Sequence, residues 1–189
     1  MHAQQFVMAY GVEQDRLRAL LPEGFRSLRP VLRINAEVRD GKTAWVEFNT
    51  DVESEGKRGW LNVGHWDDAA FTVDGKTTRF ETGLLTISFT GVGIQGGCPA
   101  EKDNDGCFFL DEEEALRPAE AITGSKEFCD CEFAGHIDGG AHGVSIGKTL
   151  PAIPTEQKNH YPRQAFTVEN AAVIPCEQVL GTYTVAFER

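Results

Sequence analysis

The densest gathering of residues that could do chemistry lies at positions 91–102, GVGIQGGCPAEK. Four glycines (Gly91, Gly93, Gly96 and Gly97) and Pro99 fall within these twelve residues, directly after a strand-like run. Glycine at that density lets a backbone turn sharply or pass close to another group. The stretch ends on Lys102, and the turn Asp103-Asn104-Asp105-Gly106 follows. Lys102 is therefore either a cation presented to a pocket or a solvated residue on a barrel corner. The segment is not a phosphate-binding loop, because the terminal Lys-Ser/Thr is missing and no helical pattern follows.

The cysteines form a second cluster. Cys129 and Cys131 flank Asp130, with Cys98 and Cys107 upstream and His136 and His142 downstream. Zinc sites use Cys-x2–4-Cys pairs, and Cys-x-Cys falls outside that spacing. On a strand, Cys129, Cys131 and Phe133 share one face and read as small core residues. No metal and no cofactor is expected on that ground. Residues 135–143, GHIDGGAHG, hold two of the five histidines. They read as a surface loop, or as a lid whose histidines move protons. Neither Gly-x-Ser-x-Gly nor His-Glu-x-x-His occurs, so a nucleophile elbow and a zinc-protease helix have no support. Trp60, Trp66 and Phe71 surround Gly59, Gly64 and His65. Such a segment is core or pocket wall. As pocket wall, it makes Trp60, Trp66 and His65 the substrate-binding candidates.

These residues need a scaffold, and the patterning predicts mostly strands. A helix is expected over 13–21, with Glu13 and Asp15 in its first turn, Leu17, Leu20 and Leu21 on one face, and Pro22 as its stop. A second short helix is expected over 111–116, where Asp111 and Glu114 can form a capping box. The acids 111–114 read as its solvated start. Strands are expected over 6–10, 31–38, 43–49, 77–80, 84–94, 128–133, 164–168 and 181–187. In the second of these Leu32, Ile34, Ala36 and Val38 oppose Arg33, Asn35 and Glu37. In the third, Ala44, Val46 and Phe48 oppose Trp45, Glu47 and Asn49. Asp40-Gly41 and Asp74-Gly75 are hairpin signals. The expected fold is mainly β, a closed or partly closed antiparallel β-barrel with two or so short helices, because a sheet of that size hides its edges by curling.

Composition bounds the function. The chain has 189 residues and a net charge of −11, with 41% apolar and 25% charged residues. A chain of that length buries about 70% of its unfolded surface and needs no metal or disulfide to fold. The charge argues against a general nucleic-acid binder or a binder of anionic membranes. A small anionic substrate is still compatible with one cation acting locally. No apolar run is long enough for a membrane helix, and the N-terminus lacks a signal-peptide pattern. A cytoplasmic protein with reduced thiols is the expectation. No linker or repeat divides it, so residues 1–189 read as one domain. Homo-oligomerisation is left open.

Residues 12–24, VEQDRLRALLPEG, precede the paired strands, and residues 97–102, GCPAEK, close the glycine-rich exit. This order resembles the acetoacetate decarboxylase-like superfamily, in which a Leu-x-x-Leu-Leu-Pro helix leads into a cone-like antiparallel barrel. Here the motif is Leu17, Leu20, Leu21 and Pro22. The resemblance implies a lysine whose lowered pKa lets a neutral amine attack a ketone and form an iminium, as in acetoacetate decarboxylase itself. It places Lys102 as that nucleophile, and Glu47 and Arg33, by strand position, as the acid and the arginine of the barrel. The family's Lys-Lys pair directly after proline is absent, since Ala100 and Glu101 stand there. Glu101 beside Lys102 acts against a lowered pKa, so burial must outweigh it. The implied function is a Schiff-base-forming lyase on a small keto acid, by decarboxylation or related aldol or dehydration chemistry. The partner is then a small anionic carbonyl compound. The alternative is a non-catalytic barrel that holds a small ligand, lined by the segment from Trp60 to Phe71.

Overall fold

A computed structural model describes residues 1–96, 106–110, 115–117, 124–135, 142–143 and 156–189. Of 115–117, 134–135 and 142–143 only the backbone is described. Lys102, Cys98, His136 and residues 111–114 lie outside the described residues. The elements are β1 (His2–Gly11), α1 (Gln14–Leu20), β2 (Arg26–Arg39), β3 (Thr43–Ser54), β4 (Lys57–Trp66), β5 (Ala70–Asp74), β6 (Thr77–Glu81), β7 (Leu85–Gly96), β8 (Cys107–Phe109), β9 (Ala115–Arg117), β10 (Lys126–Gly135), β11 (His142–Gly143), α2 (Val168–Ala172) and β12 (Gln178–Glu188). All twelve strands join one sheet in the order β5-β6-β7-β10-β12-β1-β2-β3-β4-β8-β9, with β11 on β10. No helix among the described residues is long and apolar enough to cross a membrane.

The alternating pattern of β2 and β3 works as read. Asp40 (φ 49°) and Gly41 (φ 65°) both take the left-handed conformation, at the centre of the turn that Lys42 N closes on the Arg39 carbonyl. Glu55 and Gly56 (φ 49° and 75°) are a second left-handed pair, in the two-residue turn between β3 and β4. The leucine face of the 13–21 segment is buried as expected, with Leu17 and Leu20 in the main core.

The sheet bends around its apolar face. From β1 to β6 there are four strand steps, about 19 Å across a flat sheet. Yet Phe6 on β1 meets Phe80 on β6 with ring centroids 5.3 Å apart, edge to face. Phe89 on β7 joins them, 5.3 Å from Phe6 and 6.1 Å from Phe80. Tyr10 reaches over β12 to stack on Phe133 of β10 at 5.8 Å. The concave side is therefore the main core, filled by these rings together with Met8, Ile34, Val46, Ile87, Cys129 and Cys131.

The structure corrects several expectations. The barrel is not closed. It is an open half-barrel, and it is not purely antiparallel. The outer edge of β4 pairs in parallel with β8 instead of meeting the far edge strand β5. A parallel partner can come only through a long crossover, which the chain from β4 to β8 supplies. Where the second helix was expected, residues 115–117 form β9 and pair with β8, Phe108 opposite Leu116. Pairing to a sheet edge outweighs a local capping signal that covers a single turn. The strand expected over 164–168 is absent, and α2 begins at Val168 instead. The Thr167 hydroxyl caps it by accepting from Asn170 N, and its Ala171 and the following Ile174 enter the core. Alternating Gln164, Phe166 and Val168 imitated a strand.

Helix α1 also holds a long-range contact. The Asp15 carboxylate accepts from the backbone N–H of Lys158 (2.9 Å) and Asn159 (2.8 Å), and from Arg18 (2.8 Å). These bonds, led by that from Asn159, hold its pKa below the usual carboxylate value. Tyr161 donates to Glu13, and Arg16 lies over the Tyr161 ring at 5.0 Å.

Two predictions follow from the packing. Phe80→Ala removes the ring that meets Phe6, Phe71 and Phe89, and should cost about 3–5 kcal/mol in urea denaturation. A loss below about 1 kcal/mol would contradict the bend of the sheet around this ring. Asp15→Asn should destabilise at neutral pH, with the gap to wild type closing in acid. A carboxylate with a depressed folded-state pKa stabilises above its unfolded pKa, and loses that effect as pH falls through the folded one. Thermal unfolding of both proteins at several pH values, from neutral to strongly acid, checks this.

Candidate functional site

The opposite face of β1 to β4 is polar, and its register brings the sequence candidates together. One row across the sheet runs Ala9, Arg33, Asn49, Asn62. The next runs Val7, Asn35, Glu47, His65. A bulge between Phe48 and Asn49 shifts the pairing there, so that Asn62 and His65 both land on this face. Arg33, Glu47, Trp60 and His65 thus share one patch.

Arg33 is only 5% exposed, and its guanidinium carbon lies 4.5 Å above the centre of the Trp60 ring. A buried guanidinium stacked on indole gains cation–π attraction in place of water. Arg29 stacks less closely on Trp60, at 5.9 Å, and forms an ion pair with Asp51. Glu37 is already engaged by Arg39 and Arg189. Glu47 is half-buried and accepts from Asn49 Nδ2 at 3.1 Å. Asn62 Nδ2 donates to Asn49 Oδ1 at 2.9 Å and to the Gly64 carbonyl at 3.2 Å. His65 Nδ1 lies 3.3 Å from Asn62 Oδ1. The imidazole is stacked on Trp45 at 4.5 Å with 12° between planes, and Phe109 stands edge-on at 6.1 Å. The buried Oδ1 of Asn35, opposite Glu47, has no hydrogen-bond partner among the described residues. A buried acceptor left over in this way is satisfied by a ligand or a water.

Strand β8 borders the patch. The Trp60 amide donates to the Gly106 carbonyl at 3.0 Å, and the Cys107 thiol donates to Asn49 Oδ1 at 4.0 Å. This approach requires glycine at position 59, where a Cβ would lie 2.9 Å from the Gly106 oxygen.

Trp66 is not part of the patch. It pairs with Val46 and packs against the apolar core. Lys102, outside the described residues, stands four positions before Gly106 in the sequence. Lys126 on β10 is the buried lysine among the described residues, with Nζ 4.2 Å from the centre of the Tyr183 ring. Sequence reading passed over Lys126 and Asn62, and did not expect the strand β4. Asn49 and Asn35 were visible as the polar alternates of β3 and β2. Asn62 had no such signal, because the bulge breaks the alternation.

The cysteine pair is core, as the shared face implied. Cys129 and Cys131 are each 1% exposed. Burial pushes the Cys129 thiol up to about 12, and Cys131 well above its ordinary value. Among the described residues no group of three metal-ligating side chains exists.

No family model matches the chain, and no curated protein matches it. Among solved structures it is similar to an acetoacetate decarboxylase from Legionella pneumophila, with 12% identity over 98% of this chain and 81% of that one, at a TM-score of 0.54. It is also similar to MppR, an enduracididine biosynthesis enzyme complexed with the condensation product of pyruvate and imidazole 4-carboxaldehyde, with 10% identity, 98% and 83% coverage and a TM-score of 0.53. A further acetoacetate decarboxylase structure matches with 13% identity, 98% and 82% coverage and a TM-score of 0.51. The chain therefore has the acetoacetate decarboxylase-like fold.

With a thiol pKa of about 12, about one Cys129 in ten thousand is ionised at pH 8. Iodoacetamide at that pH should leave Cys129 and Cys131 unlabelled in the native protein and label both in urea. Peptide mapping by mass spectrometry reads this, and rapid native labelling of either would contradict their core placement.

Proposed function

We propose that this chain is a Schiff-base-forming lyase for a small keto acid, one domain over residues 1–189, working at the polar face of β2 to β4. The observation that carries the reading is the convergence of Arg33, Glu47 and His65 beside β8, on a scaffold shared with enzymes of carbonyl chemistry. Arg33, held by Trp60, pairs with the substrate carboxylate through two parallel N–H···O bonds. Lys102 attacks the ketone, water leaves, and the iminium accepts the electron pair of the bond that breaks. Glu47 takes part in moving the protons.

Lys126 is disfavoured as the nucleophile by its place in the sheet. Lys126 lies on β10, three strand steps from β2, about 14 Å away. A three- or four-carbon keto acid held by Arg33 does not span that gap. Lys102 precedes Gly106, whose carbonyl is bonded to Trp60 N at the edge of the patch. The arginine also bears on the reaction type. An ion pair on the carboxylate stabilises the charge that decarboxylation must remove. Chemistry that keeps the carboxylate, such as aldol addition or dehydration, is thus favoured over loss of carbon dioxide.

Borohydride trapping tests the reading. Protein incubated with pyruvate or acetoacetate and reduced should gain one adduct in intact mass, map to Lys102 after digestion, and lose the adduct in Lys102→Ala. An adduct on Lys126 overturns the assignment of the nucleophile. Folded protein that traps neither acid overturns the lyase reading in favour of a ligand-holding half-barrel.

A further inference from the structure

The bonds from His65 to Glu47 form a chain with one direction. Asn62 Nδ2 faces the Gly64 carbonyl, which can only accept, so the orientation of the Asn62 amide is determined and its Oδ1 must face His65. Amide oxygen cannot donate, so His65 Nδ1 carries a proton. Asn49 Nδ2 faces the Glu47 carboxylate, another pure acceptor, so Asn49 Oδ1 faces Asn62 and accepts from it. Every donor in the series His65, Asn62, Asn49, Glu47 therefore points toward the carboxylate. Hydrogen bonds in such a series polarise one another.

We infer that this relay holds His65 in the Nδ1–H form and makes its Nε2 the proton-transfer atom of the site, with Asn62 and Asn49 as positioning residues. The groups around the ring are compatible with that role. Trp45 from β3 and Phe109 from β8 fix its plane. The Asp67 carboxylate, 3.8 Å from Nε2, faces the proton when Nε2 holds it. Glu47 ends the relay as its acceptor.

The inference deepens the lyase reading and rests on it for the substrate. The step is proton abstraction beside the iminium carbon. The C–H bond breaks and its proton goes to Nε2. Its electron pair forms the enamine C=C, and the iminium nitrogen takes up the π pair. In an aldol or dehydration sequence the same atom returns the proton.

Two measurements separate the outcomes. Nitrogen-15 NMR of the whole protein, with His65 assigned through His65→Gln, should show the neutral ring protonated on Nδ1. Asn62→Leu should move that population toward Nε2–H. A wild-type ring protonated on Nε2 overturns the relay whatever the enzyme does. The second measurement is deuterium exchange of the pyruvate methyl protons in D2O, normalised to the fraction trapped by borohydride at Lys102. His65→Gln should slow exchange roughly 100-fold. Exchange at the wild-type rate with normal trapping overturns the role of His65. Absence of trapping in wild type removes the lyase reading instead, and the NMR result still decides the relay. Asn62→Asp, which keeps an acceptor toward His65, should retain the Nδ1–H form, and this guards against a folding defect in Asn62→Leu.

Discussion

The edge-to-face contact of Phe6 and Phe80 joins strands that a flat sheet would hold about 19 Å apart. Rings on β1, β6 and β7 can meet only if the sheet bends, and the bend sets which side of every strand is inside. With Phe89 and Phe71 they fill the concave side densely. Burial of aromatic surface at this scale is the dominant favourable term in a fold of this kind. Strands β2 and β3 then have one register consistent with their apolar faces, since a one-residue slip would turn Ile34, Val46 and Phe48 outward.

That constraint places the polar cluster on the other face. Arg33, Asn49 and Asn62 are each at most 5% exposed, yet they lie outside the aromatic core. Burying such groups is tolerable only when their hydrogen bonds are met. Asn49 and Asn62 meet theirs laterally, side chain to side chain along the sheet, while indole stacks on the Arg33 guanidinium. A network satisfied in this way is stiff, because each amide has only one orientation that pairs. Stiffness fixes the geometry of these groups, and at a reacting site a misplacement of about 1 Å can cost roughly 100-fold in rate.

Much of the fold was legible from local pattern. The alternation in 31–38 and 43–49 separated Arg33 and Glu47 from the apolar side, and Asp40-Gly41 specified the hairpin between them. The two cysteines in line with Phe133 were readable as core. Other elements were not, β5 and β8 among them. β4 carries Gly59, Gly64 and a bulge, so its alternation is broken. Helix α2 has five residues, too few for periodicity to show. Ala115 and Leu116 lie in the helix expected over 111–116, but pair with β8 instead. Trp66 looked like a partner of Trp60, but the bulge puts them on opposite faces.

By itself the sequence determined what is encoded within a few neighbouring residues: strand faces, turn positions and the α1 helix. Each depends on sterics or periodicity over one or two turns of chain. Only the tertiary structure decided which face is concave, that the sheet stays open at β5 and β9, and that Asn62 bridges Asn49 to His65. Those facts depend on contacts between residues far apart in the chain. Their energies come from desolvation and packing that no local pattern records.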